Sequence, residues 1–264
     1  MDSLRAIDGW GAGVAAAGVV RADGVVAARG QRDVPVRWAS VTKLLTGLAA
    51  LVAAEEGVVE LDEPAGPPGS TLRHLLAHAS GLPTTMAPGR RRVYSNEGIE
   101  AAAEHVAARA GMPFAEYFEA AVVSPLGLRG SLQGSPASEY VGPLDDLLAL
   151  GRELLAPQLV AQETLDEATT VQFPGLDGIL PGFGRQEPND WGLAFELRDH
   201  KSPHWTGAEC SPRTFGHFGQ SGTFLWVDPD LGAACGVLTN RDFGDWARAA
   251  WPPFSDSVVR EQRA

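Results

Sequence analysis

Apolar positions in this chain fall into blocks whose spacing changes from one end to the other. Gly13–Val20 and Gly24–Ala28 are apolar stretches flanking Arg21-Ala-Asp-Gly24, which predicts a strand pair closed by a glycine-containing turn. Ser40 to about Gly57 is rich in alanine and leucine, has no internal proline and ends on a glycine, which predicts a helix. Pro64–Gly69 reads as a loop. Ser70 is placed to cap a short helix running through His78, which Gly81-Leu-Pro83 ends. Helical patterns follow over Asn96–Ala110, from Pro113 to about Val123, and over Leu144–Leu155. From Trp191 the character becomes strand-like: Trp191–Leu197, Thr214–Val227 and Ala233–Thr239, with Asp228-Pro-Asp-Leu-Gly232 as a turn between the last two. A last helix is predicted from Phe243, interrupted at Pro252-Pro253.

Strands at both ends with helices between them predict an α/β (α+β) fold. One antiparallel sheet is built from both termini and flanked by helices, with a helical lobe inserted. Residues 1–264 are expected to form a single domain. Its sheet lobe spans about 1–60 and 190–264, its helical lobe about 61–189.

Composition narrows the function. Hydrophobic residues make up 44% of the 264, enough for a real core. A net charge of −12 argues against nucleic acid and against an anionic membrane surface as partners. No run approaches the ~20 apolar residues of a membrane span. Trp10–Val20 has the length of a signal core, but Met1–Asp8 carries two acids against one arginine, so a strand is expected there and a cytoplasmic location follows. Cys210 and Cys235 are too few for a disulfide framework and read as free thiols. His74 and His78 share a helix face at i, i+4, yet no third ligand accompanies them, so they read as structural and neither metal nor cofactor is expected. Arg90-Arg-Arg92 reads as a solvated loop.

The candidate chemistry starts from lysine. Of 21 basic residues only Lys43 and Lys201 are lysines. Lys43 sits in the apolar run Trp38–Ala54, where a desolvated amine can become neutral and an arginine could not. Ser40 lies three positions earlier, on the same face of a helix. A neutral lysine can take the hydroxyl proton and activate Ser40 as a nucleophile. The start of the helix also offers the Ser40 backbone N–H to a developing oxyanion. Ser-x-x-Lys alone is short enough to arise by chance, and the Gly-x-Ser-x-Gly elbow is missing.

The neighbouring motifs give the pair a context. Ala39-Ser-Val-Thr-Lys43 is followed by Glu55–Pro64, Thr71–Leu82, Pro88-Gly89, Tyr94-Ser-Asn96 and Ser124-Pro-Leu-Gly-Leu128. This order and spacing, over nearly the whole chain, resembles the class C β-lactamase-like serine hydrolases: class C β-lactamases, D-Ala-D-Ala carboxypeptidases and β-lactamase-fold esterases. The resemblance implies the β-lactamase/penicillin-binding-protein-like fold. It implies Ser40 as the acylated nucleophile, Lys43 as its proton acceptor and Tyr94 as a partner in proton transfer. Asn96 is then the substrate-contacting asparagine, and His217-Phe-Gly219 is the third motif. Gln220 supplies the second oxyanion N–H.

His217 stands where β-lactamases carry a lysine that holds the substrate carboxylate, and histidine is mostly neutral at pH 7. Phe218 replaces a threonine, and the loop Leu82–Tyr94 is short, which suggests an open pocket. The expected activity is hydrolysis of small carboxylic esters through an acyl-enzyme. A β-lactamase or D-Ala-D-Ala carboxypeptidase is the first alternative. A non-catalytic sensor or an acyltransferase on the same fold is the second. The partner is a small ester, amide or β-lactam, with no nucleic acid and no membrane.

Overall fold

The computed structural model describes residues 1–264. The N-terminal hairpin of β1 (Ala15–Arg21) and β2 (Gly24–Gly30) leads to the short β3 (Val36–Arg37) and a 3₁₀ turn at Ala39–Val41. Next come α1 (Thr42–Glu55), α2 (Leu72–Leu76), α3 (Asn96–Ala110), α4 (Phe114–Phe118) and α5 (Ser124–Leu126). The middle region closes with β4 (Ser131–Leu132), β5 (Tyr140–Gly142), α6 (Leu144–Leu155), α7 (Gln162–Ala168), β6 (Gly178–Leu180) and β7 (Gly184–Gln186). The C-terminal part is β8 (Glu196–Leu197), β9 (Phe215–Gly219), β10 (Thr223–Asp228), β11 (Ala233–Thr239) and α8 (Asp245–Arg263).

The central sheet has six strands in the order β2-β1-β11-β10-β9-β8, each neighbouring pair antiparallel. The two termini therefore meet at β1 and β11, with Gly18 opposite Gly236. Both glycines lie beneath α6: a Cβ on Gly18 would come 2.7 Å from Leu148, and one on Gly236 would come 2.9 Å from Leu147. The missing side chains let the helix sit directly on the sheet.

The pleat divides the core. Ala16, Val20, Leu225, Val227, Ala234 and Leu238 join a 43-residue cluster with α1, α3 and α6. Their alternates Ala17, Val19, Phe224, Trp226, Cys235 and Val237 join a 21-residue cluster beneath α8. Because both faces are covered, the strands read as continuous apolar runs rather than alternating ones. α1 runs through the larger cluster, buried from Thr42 to Ala53. Cys210 and Cys235 are buried and unbonded. No helix is long and apolar enough to cross a membrane.

Several local expectations are corrected. Thr71, not Ser70, caps α2, its hydroxyl accepting from the His74 N–H. That helix stops at Leu76, and His78 has φ +54°, so the two histidines do not share a helix face. The expected strand Trp191–Leu197 shrinks to Glu196–Leu197, while Thr214–Val227 breaks into β9 and β10 around Gly222 at φ +76°. α8 continues through Pro252-Pro253 instead of being interrupted there. Trp251, Phe254, Val258 and Val259 are buried on the sheet side, and that packing on both sides of the prolines outweighs the hydrogen bonds they remove. Arg92 is not solvated: it is 1% exposed, and its guanidinium donates to the carbonyls of Ala77, Gln172, Phe173 and Asn189.

Candidate active site

Ser40 sits in the 3₁₀ turn just ahead of α1, and the strain of that turn falls on the preceding residue. Ala39 has φ +47°, a left-handed conformation that costs a non-glycine residue energy and is held by its surroundings. Those surroundings come from β5, whose Tyr140 carbonyl accepts the Trp38 N–H at 2.9 Å, and from the β9–β10 hairpin. Thr223 Oγ1 donates to the Trp38 carbonyl at 2.8 Å, and Ser221 Oγ donates to the Arg37 carbonyl at 2.7 Å. Gly219 lies so close that a Cβ there would meet the Trp38 carbonyl at 2.3 Å and Ala39 Cβ at 3.0 Å. Gly219 thus acts by allowing contact between the two segments.

Lys43 is completely buried one turn along, with its amine 3.2 Å from Ser40 Oγ, 2.6 Å from Asn96 Oδ1 and 2.9 Å from the Ala137 carbonyl. Burial pulls its pKa down to about 7, against a weaker upward pull from Glu100 and Glu97. Tyr94 and Asn96 are delivered by the start of α3, where Ser95 Oγ accepts the Gly98 N–H at 2.8 Å. The Tyr94 hydroxyl donates to Ser40 Oγ at 2.7 Å, and burial raises its pKa, so it stays a protonated phenol at neutral pH. The Lys43 amine also lies 4.9 Å from the centre of the Tyr94 ring.

A cavity of about 190 Å³ opens over Ser40, lined among others by Tyr94, Asn96, Trp191, His217 and Gln220. His217 is buried, and burial with Lys43 nearby lowers its pKa to about 3. Gln220 is fixed from outside: its carbonyl accepts from the Phe243 N–H at 2.7 Å and its amide donates to the Phe243 carbonyl at 3.3 Å. Phe218 lines the cavity and also packs on Phe183, Phe243 and Trp251. An apolar groove of about 420 Å³, lined by Met86, Val93 and Ile179, adjoins the cavity through Tyr94 and Pro181.

The structure thus gathers Ser40, Lys43, Tyr94, Asn96, His217 and Gln220 about one cavity, with Gly219 behind the serine turn. Residues that the sequence did not assign to the site complete the setting, among them His78, which it reads as structural. His78 Nδ1 accepts the Ser95 N–H at 3.2 Å, and its ring packs 4.7 Å from that of Tyr94 and edge-on to Trp191. Glu196, also in the cavity lining, accepts from Lys201, His204 and Trp205, and Lys201 also donates to the carbonyls of Asp190 and Leu197. Burial alone would push the Glu196 pKa up, but His204 and Lys201 outweigh it and hold the carboxyl at about 2.

A six-stranded antiparallel sheet covered by helices, with serine, lysine and tyrosine meeting at its margin, defines the class C β-lactamase-like serine hydrolase superfamily. The β-lactamase family model matches residues 5–259, and the chain belongs to that family. A solved structure described as a β-lactamase from Mycobacterium bovis is 51% identical, covers 99% of this chain and 100% of its own, and superposes with a TM-score of 0.97. A mutant of simvastatin synthase from Aspergillus terreus shares the fold at 17% identity, covering 99% of this chain and 96% of its own, with a TM-score of 0.80. Among curated proteins, the D-alanyl-D-alanine-carboxypeptidase/endopeptidase AmpH of Escherichia coli is 28% identical over 143 residues, 38% of this chain. The match spans 37% of the length of that relative.

Proposed function

We propose that this protein is a serine hydrolase that forms an acyl-enzyme on Ser40 and acts on small carboxylic esters. The observation that carries the reading is the set of contacts around the Lys43 amine. Two of them, Asn96 Oδ1 and the Ala137 carbonyl, are oxygens that only accept. A neutral amine has two N–H groups and one lone pair. With both hydrogens given to those oxygens, the lone pair is left for the Ser40 hydroxyl. The Tyr94 hydroxyl donates to the same oxygen from its other side, so the Ser40 proton is directed toward Lys43.

In this reading Ser40 Oγ bonds to the carbonyl carbon as its proton passes to Lys43. Negative charge on the carbonyl oxygen is met by the N–H groups of Ser40 and Gln220. Lys43, through Tyr94, returns the proton to the departing alkoxide as the ester bond breaks. Water then releases the acid by the same route in reverse.

The neutral, buried His217 favours esters over β-lactams and D-Ala-D-Ala peptides, because it offers no permanent cation to a carboxylate. The alternative of a β-lactamase or carboxypeptidase draws on the names of the relatives in Mycobacterium bovis and Escherichia coli. A panel of p-nitrophenyl esters, nitrocefin and a D-Ala-D-Ala peptide separates the two. Ester turnover is expected to lead, and Ser40→Ala is expected to abolish both turnover and labelling by a fluorophosphonate. Unchanged turnover in Ser40→Ala, or label on another serine, would sink the reading. Adding an alcohol acceptor to the same assay reports acyl transfer, and a single round of acylation without release would mark a sensor.

The acid limb of the pH profile follows from Lys43. Its protonated form has no lone pair, so single-turnover acylation should rise about tenfold per pH unit below about 7 and level off above it. A rate that is flat from pH 5 to 8 would remove Lys43 from the proton route.

A further inference from the structure

The Lys43 amine is held by two acceptors, and both trace back to one face of α3. Asn96 Oδ1 accepts from it directly. The second acceptor, the Ala137 carbonyl, belongs to the loop between β4 and β5. That loop is built around Ser135, whose Oγ accepts the Ala137 N–H at 3.1 Å and whose carbonyl accepts the Ser138 N–H at 3.0 Å. The two peptides that flank Ala137 are thus tied to one residue. The Ala137 carbonyl shares its peptide plane with the Ser138 N–H, so its aim at Lys43 follows from where Ser135 sits. A serine hydroxyl has one hydrogen, and Ser135 gives its own to the Glu100 carboxylate. Glu100 lies four residues after Asn96, on the same face of α3.

We propose that Glu100 is a positioning residue for the reaction: through Ser135 it sets the Ala137 carbonyl against the Lys43 amine, so that one face of α3 fixes both acceptors that turn the lone pair toward Ser40. This deepens the reading of Lys43 as the proton acceptor and rests on it. The charge of Glu100 has an effect of its own. Glu100 and Glu97, both on α3, favour the protonated amine. The other titratable groups facing the amine are Tyr94, ahead of α3, His78, after α2, and His217 on β9, and burial keeps all three neutral near pH 7. Glu100 therefore orients the lone pair while delaying its release to higher pH.

Single-turnover acylation by a p-nitrophenyl ester, followed from pH 5 to 9, separates the two effects. Ser135→Ala frees the loop and keeps the charge, so the plateau rate should fall about tenfold or more with the midpoint of the acid limb unmoved. Glu100→Gln keeps an oxygen for Ser135 and removes the charge. Its plateau should stay within about twofold of wild type, while the midpoint moves to lower pH and the rate at pH 5.5 rises about twofold or more. Glu100→Ala should show both changes. A wild-type plateau in Ser135→Ala would overturn the positioning role. So would an unmoved midpoint in Glu100→Gln, the result expected of a carboxylate that only braces the fold; this variant stays informative where the alanine variants lose stability. A wild-type profile that is flat from pH 5 to 8 is a different failure, because it removes Lys43 itself from the proton route.

Discussion

Replacing Lys43 with arginine is expected to stop acylation of Ser40 as fully as replacing it with alanine, a fall of about 10²–10⁴-fold in the acylation rate. The two substitutions differ in everything except the property that counts. Arginine preserves positive charge and hydrogen-bond donors, whereas alanine preserves neither. Neither can offer a lone pair, since a guanidinium does not lose its proton in proteins. The surroundings make arginine worse still. The amine occupies a fully buried site between Asn96 and the Ala137 carbonyl, with Tyr94 against it, and burial already works against charge there. Stopped-flow acylation with a p-nitrophenyl ester distinguishes the cases. An arginine variant that retains more than a tenth of the wild-type rate would show that charge, not proton acceptance, is what position 43 supplies.

The largest expected loss of stability lies at the other lysine. Lys201 is 5% exposed, and its amine meets the Glu196 carboxylate and the carbonyls of Asp190 and Leu197. Lys201→Met would leave a buried carboxylate without its cation, which costs about 3–5 kcal/mol. Adding Glu196→Gln removes the stranded charge and should restore part of the loss, so the double variant would be more stable than the two single losses predict. Urea unfolding of the four proteins measures this coupling. A loss below about 1 kcal/mol in Lys201→Met would mean that His204 and Trp205 alone satisfy Glu196. The lysine also lies 5.6 Å from the centre of the Trp191 ring, so its removal loosens the wall of the cavity over Ser40.

Lys201 also shows how much could be read from residues alone. The scarcity of lysine drew attention to Lys43 because its neighbours are apolar. Lys201 follows Arg198-Asp-His200 and looks solvated, although the same scarcity applied to it. Its partners come from Asp190 and Glu196, and a sequence does not say that a polar loop folds back under a sheet edge. Arg92 misleads for the same reason: its neighbours are arginines, and its acceptors are carbonyls as far away as Gln172 and Asn189. Asn96–Ala110 and Leu144–Leu155 were legible to the residue, because local period and end signals decide helices of that length. Trp191–Leu197 was not, since its apolar residues are buried by neighbours on all sides and not by strand pairing. That Ser40, Lys43, Tyr94 and Asn96 lie together followed from motif order, and their side chains do meet. The tautomer of His217 was invisible, because it depends on the direction of one backbone carbonyl, that of Phe218, 2.6 Å from Nδ1.

The turn at Ala39 is held by two elements of different origin: the β9–β10 hairpin binds Arg37 and Trp38 through Ser221 and Thr223, and β5 accepts the Trp38 N–H on the Tyr140 carbonyl at 2.9 Å and the Trp38 indole on that of Gly142 at 3.1 Å. On the hairpin side, two hydroxyls and one glycine form a short clasp that registers the serine turn to Gln220. Leu180, at the end of β6, and Pro181 and Trp191, in the loops beyond it, wall the cavity from outside that clasp. Insertions or substitutions in those loops change what fits against the serine while leaving the spacing of attacker and strand untouched. Such a division lets descendants of one ancestral sequence explore new molecules without reinventing the reaction. It also tells an engineer which part of the chain to randomise and which to leave alone.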